Sequence, residues 1–127
     1  MRNKKVLVID DEYIVRVSCK RVLETDGYTV SLSSSVSDGI KLMESEGFDL
    51  LLTDLIMPEM DGFELLKLVR DKWPSLRIVV MTGYGTNEAA NKSLELGADD
   101  FIKKPFLPEE LLLVAGTGQK NYVHYGE

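Results

Sequence analysis

Six polar side chains of this protein follow short apolar runs, and together they have the chemistry to bind a cation and an anion. They are Asp10, Asp11, Glu12, Asp54, Thr82 and Lys104. Two carboxylates about 4 Å apart repel each other by about 4 kcal/mol at an effective dielectric constant near 20, so a cluster needs a compensating cation. A lysine ammonium can supply one positive charge, and Mg²⁺ suits carboxylate, carbonyl and water oxygens. Because Mg²⁺ also bridges to phosphoryl oxygens, an acidic site of this kind can accept an anion.

The segment around Asp54 indicates where such a site would lie. The leucine run 50–52 has no helical period, which is typical of a buried parallel strand. Pro58 ends this run four residues beyond Asp54, and Gly62 supplies the turn from which the next helix begins. Asp54 is therefore predicted to lie at the carboxyl end of a strand, the edge at which open α/β sheets bind ligands.

Strand-like and helix-like patterns alternate five times along the chain. Strands are predicted at residues 6–9, 28–32, 77–81 and 101–102 and in the leucine run before Asp54; helices are predicted before Gly27, after Ser35, from about Gly62 to Trp73, from Asn87 to Leu96 and from Pro108. This alternation predicts right-handed crossovers and one parallel sheet covered by helices on both faces. The fourth helix should be loosely held, since its inner face is mostly alanine and serine.

Composition and charge narrow the class of protein. A length of 127 residues, with 44% hydrophobic and 28% charged residues, is ordinary for one globular domain. The formal net charge is −6, with 21 acidic against 15 basic residues, which argues against direct nucleic-acid binding. The first apolar run is too short for a signal peptide, and no run is long enough to span a membrane. We therefore expect a cytoplasmic protein with no membrane association.

Four motifs make the chain recognisable. They are Val-Leu-Val-Ile-Asp-Asp-Glu at 6–12, Leu-Thr-Asp-Leu-Ile-Met-Pro-Glu-Met-Asp-Gly at 52–62, Val-Met-Thr-Gly at 80–83 and Gly-Ala-Asp-Asp-Phe-Ile-Lys-Lys-Pro-Phe at 97–106. With these motifs in this order, the chain resembles the receiver (phosphoacceptor) domain of bacterial two-component response regulators over roughly residues 4–114. The resemblance implies an α/β, flavodoxin-like fold, in which a doubly wound five-stranded parallel sheet of strand order 2-1-3-4-5 carries helices on both faces.

The resemblance also implies a phosphorylation site. In receiver domains, the residue matching Asp54 accepts a phosphoryl group from a sensor histidine kinase or a phosphotransfer protein, which makes the domain a phosphorylation-activated switch. Asp10, Asp11, Asp54 and the backbone carbonyl of Ile56 are implied to surround Mg²⁺, for which Mn²⁺ can substitute. The switch would act on an effector domain or a downstream protein, which the sequence does not identify.

Further residues are implied to read the phosphorylated state. The Thr82 hydroxyl can donate to a phosphoryl oxygen, and the Lys104 ammonium can neutralise the oxygens during transfer. In the family, the threonine moves toward the phosphoryl group, an aromatic residue at the Phe101 position turns inward, and the surface of the fourth helix and fifth strand rearranges. A loosely held fourth helix suits that role. Ile56 and Tyr84 are expected to flank the phosphoryl group, where bulky side chains would hinder an attacking water.

Several of these residues also have simpler explanations. Asp10 or Asp11 could cap the first helix, as aspartate commonly does, but a cap needs only one of them. Thr82 could be an ordinary strand residue and Phe101 an ordinary core residue, and only the motif favours a switch role for both.

The positions of the two adjacent lysines, the cysteine and the histidine indicate which of these residues belong to the site. Lys103 and Lys104 would point to opposite faces of an extended strand, so only one of them can reach the site. Lys104 matches the family's lysine, which stands immediately before a proline. In the family, the peptide bond between that lysine and the proline is often cis. Cys19, the only cysteine, lies on an apolar helical stripe and is expected to be a core residue. His124, the only histidine, is expected to be an exposed residue of the tail.

Two other functions are possible for this fold class. A flavodoxin-like binding module should have a phosphate loop of Gly, Ser or Thr after the first strand, where Asp10, Asp11 and Glu12 stand instead. A metal-dependent phosphohydrolase with an aspartyl nucleophile should have an acid two residues after Asp54, where Ile56 stands. We therefore expect a switch that assists its own phosphorylation and slow dephosphorylation, not a turnover enzyme.

The carboxyl end departs from the family pattern. Gly116 and Gly118 follow the last apolar run, and each disfavours a helix interior by about 1 kcal/mol. The last helix is therefore predicted to be short, which puts dimer formation through it in doubt. We predict a receiver domain at 1–115 and a tail or linker at 116–127.

Overall fold

Strands and helices alternate along residues 4–83 and 86–116, which are the residues described by the computed structural model of this protein. The strands are β1 (Lys5–Ile9), β2 (Thr29–Ser33), β3 (Leu50–Asp54), β4 (Arg77–Thr82) and β5 (Asp100–Lys103). The helices are α1 (Tyr13–Thr25), α2 (Val36–Ser45), α3 (Gly62–Lys72), α4 (Asn87–Glu95) and α5 (Pro108–Ala115). All ten predicted elements are present, and they differ from the predictions mainly by a residue or two at their ends.

The five strands form one parallel sheet in the order β2-β1-β3-β4-β5. This confirms the predicted strand order and the flavodoxin-like fold. β3 lies in the middle, where Leu51 is opposite both Leu7 of β1 and Ile78 of β4. All five residues of β3 are buried, as its continuous apolar run predicts for a strand covered on both faces.

Successive side chains along the three central strands, β1, β3 and β4, enter two different cores, because strand side chains alternate between the two faces of a sheet. On one face, the core residues from helices α2, α3 and α4 include Val36, Met43, Leu65, Leu66, Val69 and Ala90. On the other face, the core residues from α1 and α5 include Cys19, Leu23, Leu111, Val114 and Ala115. The helices therefore cover both faces, as predicted, and Cys19 is a buried core residue.

Local sequence explains where the helices begin and end. The Ser35 hydroxyl oxygen accepts a hydrogen bond from the backbone N–H of Asp38 at 3.2 Å and so caps α2. Gly27 follows α1 with φ of +92°, a left-handed conformation that favours glycine. α3 ends at Lys72, and the C-cap residue Trp73 packs partly buried at the edge of the core. α4 buries only Ala90 and Ser93, in line with the predicted small inner face.

Helix α5 is short, as the sequence predicts. Two side chains from elsewhere in the chain hold its last carbonyls: Arg77 Nη2 donates to the Val114 oxygen at 2.9 Å, and the Tyr28 hydroxyl donates to the Ala115 oxygen at 3.3 Å. The proposed boundary at residue 115 stays a prediction, since residues 117–127, with His124, lie outside the described residues. None of the helices in the described part of the chain has the length and apolar character needed to cross a membrane.

Candidate functional site

The carboxyl ends of the strands bring most of the predicted site residues to one edge of the sheet. Asp10 follows β1, Asp54 and Thr82 end β3 and β4, and Lys104 follows β5. The strands are parallel and in register, with Thr82 opposite the last residue of β5. Residues that are far apart in sequence are therefore neighbours at this edge.

Lys104 lies at the centre of the acidic residues. Its side-chain nitrogen donates hydrogen bonds to Asp10 Oδ2 and Asp54 Oδ2, both at 2.8 Å, and to Glu12 Oε1 at 3.1 Å. Asp10 has no exposed side-chain surface, and the side chains of Lys104 and Asp54 are 14% and 9% exposed. The ammonium therefore offsets carboxylate repulsion in a place that water reaches poorly.

The backbone aims Lys104 at the site. Its own N–H donates to the Thr82 carbonyl at 2.9 Å, which extends the pairing of β4 and β5 by one residue. The bond from Lys104 to Pro105 is cis. The preceding residue, Lys103, is exposed, so Lys104 is the one of the two lysines that contacts the carboxylates.

Each of the two buried aspartates that contact Lys104, Asp10 and Asp54, is held at both carboxylate oxygens. In both residues, the second oxygen, Oδ1, accepts a hydrogen bond from the backbone N–H two residues further on. The donor to Asp10 is the Glu12 N–H at 2.9 Å, and the donor to Asp54 is the Ile56 N–H at 3.1 Å. Glu12 is the N-cap residue of α1, but no side-chain hydrogen bond caps this helix end. Asp10 therefore does not act as the simple helix cap that the sequence left open.

Burial and charge act on the pKa values of this cluster. Burial raises the pKa of Asp10, and its hydrogen bond with Lys104 and the N–H of Glu12 oppose that rise only in part. Burial lowers the pKa of Lys104, but the hydrogen bonds from its ammonium to Asp10 and Asp54 outweigh burial and raise the pKa overall. Lys104 is therefore a permanent cation at neutral pH.

The acidic cluster differs from the predicted set by one residue. Carboxylate oxygens of Asp10, Glu12 and Asp54 lie within 4.8 Å of one another, whereas Asp11 is exposed and lines the adjoining cleft. Glu12 is one of the strand-end acids that the sequence singles out, but it is not among the metal ligands that the resemblance implies. Its position two residues after Asp10, in the loop before α1, was the available signal. The set of carboxylate oxygens suits a hard divalent cation.

A cleft of about 670 Å³ opens over the cluster. Asp54, Thr82 and Lys104 lie among its polar lining residues, and Ile14 and Ile56 contribute apolar side chains. Both isoleucines are largely exposed, at 71% and 56%. Asp54 is therefore accessible from a cleft with an apolar rim, whereas Asp10 lies beneath it.

The residues expected to read the phosphorylated state lie at different depths. Thr82 is buried at the end of β4, next to Asp54 at the same sheet edge. Phe101 on β5 is 2% exposed and belongs to the core beneath α2, α3 and α4. Tyr84 lies outside the described residues, so its expected place beside the phosphoryl group stays a prediction.

The fold and this pocket define a receiver-type signalling domain, and comparison with known proteins gives the family. The family model for the response regulator receiver domain matches residues 6–115, so the chain belongs to that family. Over 127 residues it is 32% identical to the DNA-binding transcriptional regulator NtrC of Proteus hauseri, covering 100% of this chain and 26% of NtrC.

Two solved structures show the same relationship in three dimensions. A CheY-like response regulator receiver domain protein from Methanospirillum hungatei has a TM-score of 0.82 and 36% identity, covering 87% of this chain and 89% of that one. A response regulator protein from Burkholderia pseudomallei, with a phosphorylated aspartic acid, a calcium ion and citrate, has a TM-score of 0.83 and 32% identity, covering 91% of this chain and 68% of that one.

The family sets the class of function. Receiver domains of two-component response regulators are signalling switches and not classical enzymes, and the similarities support neither a flavodoxin-like binding module nor a phosphohydrolase. The chain spans about a quarter to a half of the length of the curated relatives it matches.

Proposed function

We propose that Asp54 is the phosphoacceptor of this receiver domain and takes its phosphoryl group from a sensor histidine kinase or a phosphotransfer protein. The observation that carries the proposal is the Lys104 ammonium, which donates to Asp10 and Asp54 at 2.8 Å each. This contact keeps two carboxylates together at the sheet edge where ligands bind. Of the two, Asp54 lines the cleft and is the one that a donor can reach.

The transfer is a displacement at phosphorus. A carboxylate oxygen of Asp54 forms a bond to phosphorus while the bond from phosphorus to the donor's leaving nitrogen breaks, and that bond's electron pair stays on the nitrogen. The product is a mixed anhydride, whose formation depends on positioning and charge neutralisation more than on acid-base chemistry. Lys104 supplies a fixed positive charge beside the phosphoryl oxygens. The N–H of Ile56, 3.1 Å from Asp54 Oδ1, holds the carboxylate in one orientation.

The acidic residues provide a place for a metal ion. Asp10, Asp11, Asp54 and the Ile56 carbonyl would hold Mg²⁺, or Mn²⁺ in its place, with Glu12 close enough to contribute. When bound, such an ion would neutralise carboxylate charge and supply positive charge for the phosphoryl oxygens. Asp11 lies exposed at the rim of the cleft and can reach an ion there by side-chain rotation.

The phosphorylated state is read by Thr82 and Phe101 and passes to α4 and β5. Thr82 donates its hydroxyl hydrogen to a phosphoryl oxygen, and Phe101 packs behind it. The turn that follows α4 is held in place, because Arg70 donates from Nε and Nη2 to the Gly97 carbonyl at 3.1 and 2.6 Å. We therefore expect the rearrangement mainly at the amino end of α4.

The output would belong to an effector domain or a downstream protein. NtrC is a DNA-binding regulator of which this chain matches 26%, and the formal net charge of −6 argues against DNA contact by this chain itself. The domain would assist its own phosphorylation and slow dephosphorylation, and Ile56 would stand in the path of an attacking water.

Incubation with a small acyl phosphate and Mg²⁺, followed by intact-mass measurement, tests the proposal. We expect one phosphoryl mass increment in the parent chain, none without Mg²⁺ and none in Asp54→Asn. Asp71→Asn, which removes an exposed aspartate from α3, should behave as the parent does. An increment that persists in Asp54→Asn, or a parent that takes up no phosphoryl group, would contradict the proposal.

A further inference from the structure

The loop from Asp54 to α3 is closed on itself at its base. The Gly62 N–H donates to the Leu55 carbonyl at 3.0 Å, and Ile56 forms an antiparallel bridge with Asp61. A Cβ atom at Gly62 would lie 2.4 Å from the Leu55 oxygen, so this close approach requires glycine. The base of the loop is therefore fixed by backbone contacts, whereas its tip projects toward α2.

Glu59, at the tip of this loop, holds the amino end of α2. Its Oε1 accepts from the Val36 N–H at 2.6 Å, and its Oε2 accepts from the Ser37 hydroxyl at 3.1 Å. Val36 is the first residue of α2, whose own N-cap Ser35 accepts from the N–H of Asp38 instead. A carboxylate at this end of a helix also interacts favourably with the helix dipole. The loop tip is thus attached to α2 through both oxygens of one side chain.

This attachment is close to the site along the chain, because only Met57 and Pro58 separate Glu59 from Ile56. Ile56 lies between Asp54 and Glu59, and its N–H holds Asp54 Oδ1 at 3.1 Å. The Ile56 side chain is 56% exposed, so packing of that side chain does little to fix its backbone. The orientation of the Ile56 peptide groups then depends on the bridge at the loop base and on the Glu59 contacts at its tip.

We infer that Glu59 is a positioning residue for the phosphorylation site, acting by fixing the Ile56 backbone through α2. The inference rests on the proposed function, in which the Ile56 N–H orients Asp54 and the Ile56 carbonyl would be a ligand of the metal ion. Glu59 itself is exposed and contacts none of the reacting groups. Its role is to keep the loop in one conformation before any ligand arrives.

The first test measures hydrogen exchange of the metal-free protein. In Glu59→Ala, exchange of the Ile56 N–H should speed up by about fivefold, the equivalent of one hydrogen bond of ordinary net strength, while amides in β1 and β3 keep their rates. Glu59→Gln keeps an acceptor for Val36 N–H and should stay within about twofold of the parent. Glu64→Ala removes the same charge from the first turn of α3 but leaves both α2 contacts in place, and it should match the parent.

The second test measures the dissociation constant for Mg²⁺ by calorimetry. Glu59→Ala should weaken binding by roughly threefold to tenfold. Removing a group that directly orients a metal ligand usually weakens metal binding by about tenfold or more, and Glu59 acts less directly than that. Ser37→Ala should weaken binding slightly in the parent and not at all in the Glu59→Ala background, since the contact is already lost there.

The outcomes separate this inference from the proposed function. The positioning role would be overturned if Glu59→Ala had the same Ile56 exchange rate and the same dissociation constant for Mg²⁺ as the parent. It would also be overturned if Glu59→Ala and Glu59→Gln changed these two quantities equally. A parent that binds Mg²⁺ but is not phosphorylated would contradict the proposed function alone, because neither measurement uses a phosphodonor. A parent that does not bind Mg²⁺ would overturn both.

Discussion

The side-chain nitrogen of Lys104 lies 2.8 Å from Oδ2 of Asp54, although 50 positions separate the two residues in the chain. The contact arises because β4 lies between β3 and β5 and all three strands point the same way, so their carboxyl ends meet. It couples the stability of the domain to the charge of its site, since one cation balances several carboxylates. Removing or adding a cation should therefore change both properties.

Replacing Lys104 with methionine should destabilise the metal-free protein. The change leaves Asp10 and Asp54 buried without their cation, so we expect the free energy of unfolding to fall by roughly 1–3 kcal/mol. Removing one partner of a fully buried ion pair costs more, about 3–5 kcal/mol, but the Lys104 side chain is 14% exposed. Urea denaturation measures the change. Lys103→Met, at the exposed neighbour, should stay within about 0.5 kcal/mol of the parent. Equal losses in the two variants would show that the Lys104 contacts do not stabilise the fold.

Mg²⁺ should raise the melting temperature. At a free concentration 100 times the dissociation constant, mass action adds about 2.7 kcal/mol, or roughly 10 °C for a domain of this size. Sodium chloride at the same ionic strength is the control. Asp11→Asn should reduce the Mg²⁺-dependent rise without changing the melting temperature of the metal-free protein, because Asp11 is exposed. An unchanged melting temperature at millimolar Mg²⁺ would argue that the acidic cluster binds no metal.

Replacing Ile56 with asparagine should shorten the lifetime of the phosphorylated protein. Asparagine lets water approach the phosphoryl group, and we expect loss of phosphate to speed up about tenfold, equivalent to ~1.4 kcal/mol in the barrier. The decay of the phosphoryl mass increment measures the rate. Ile14→Asn makes the same change elsewhere on the cleft rim and should have little effect. Equal decay of Ile56→Asn and the parent would remove Ile56 as a barrier to water.

Cys19 should be inert in the folded protein. Burial raises the pKa of its thiol from an ordinary value of 9.0 to about 12. A raised pKa means that the reactive thiolate is scarce at neutral pH, and that its amount is still increasing at pH values well above 9.0, where an ordinary thiol is already mostly ionised. A chromogenic disulfide reagent should therefore react slowly with the native chain and quickly in denaturant. Fast reaction at pH 7 without denaturant would show that this part of the core is open.

The sequence predicts the main part of the site because strand ends are predictable. The apolar runs before Asp10 and Asp54 are short and end abruptly, and parallel strands place their carboxyl ends together whatever the loops do. The alternation of side chains at the end of β5 likewise lets only one of Lys103 and Lys104 reach the site, and the resemblance to the family selects Lys104. These residues need only the strand pattern to be brought to one edge.

Other contacts could not be predicted, because loop and side-chain conformation decide them. Glu12 lies beyond β1, where no strand period fixes its direction, and it joins the cluster through the hydrogen bond that its side chain accepts from Lys104. The Glu59 contacts join positions 23 and 22 residues apart, and Tyr28 reaches α5 across 87 residues. Such contacts depend on how helices pack on the sheet, which no local pattern encodes.

The most direct measurement identifies the residue that carries the phosphoryl group. After reaction with an acyl phosphate and Mg²⁺, borohydride reduces an aspartyl phosphate to homoserine, and peptide mass spectrometry then locates the homoserine in the chain. We expect homoserine at position 54 only, in an amount that rises with phosphorylation and vanishes when Mg²⁺ is omitted. Homoserine at Asp10 or Asp11, or a phosphorylated chain in which position 54 is still aspartate after reduction, would contradict the assignment of Asp54 as the phosphoacceptor.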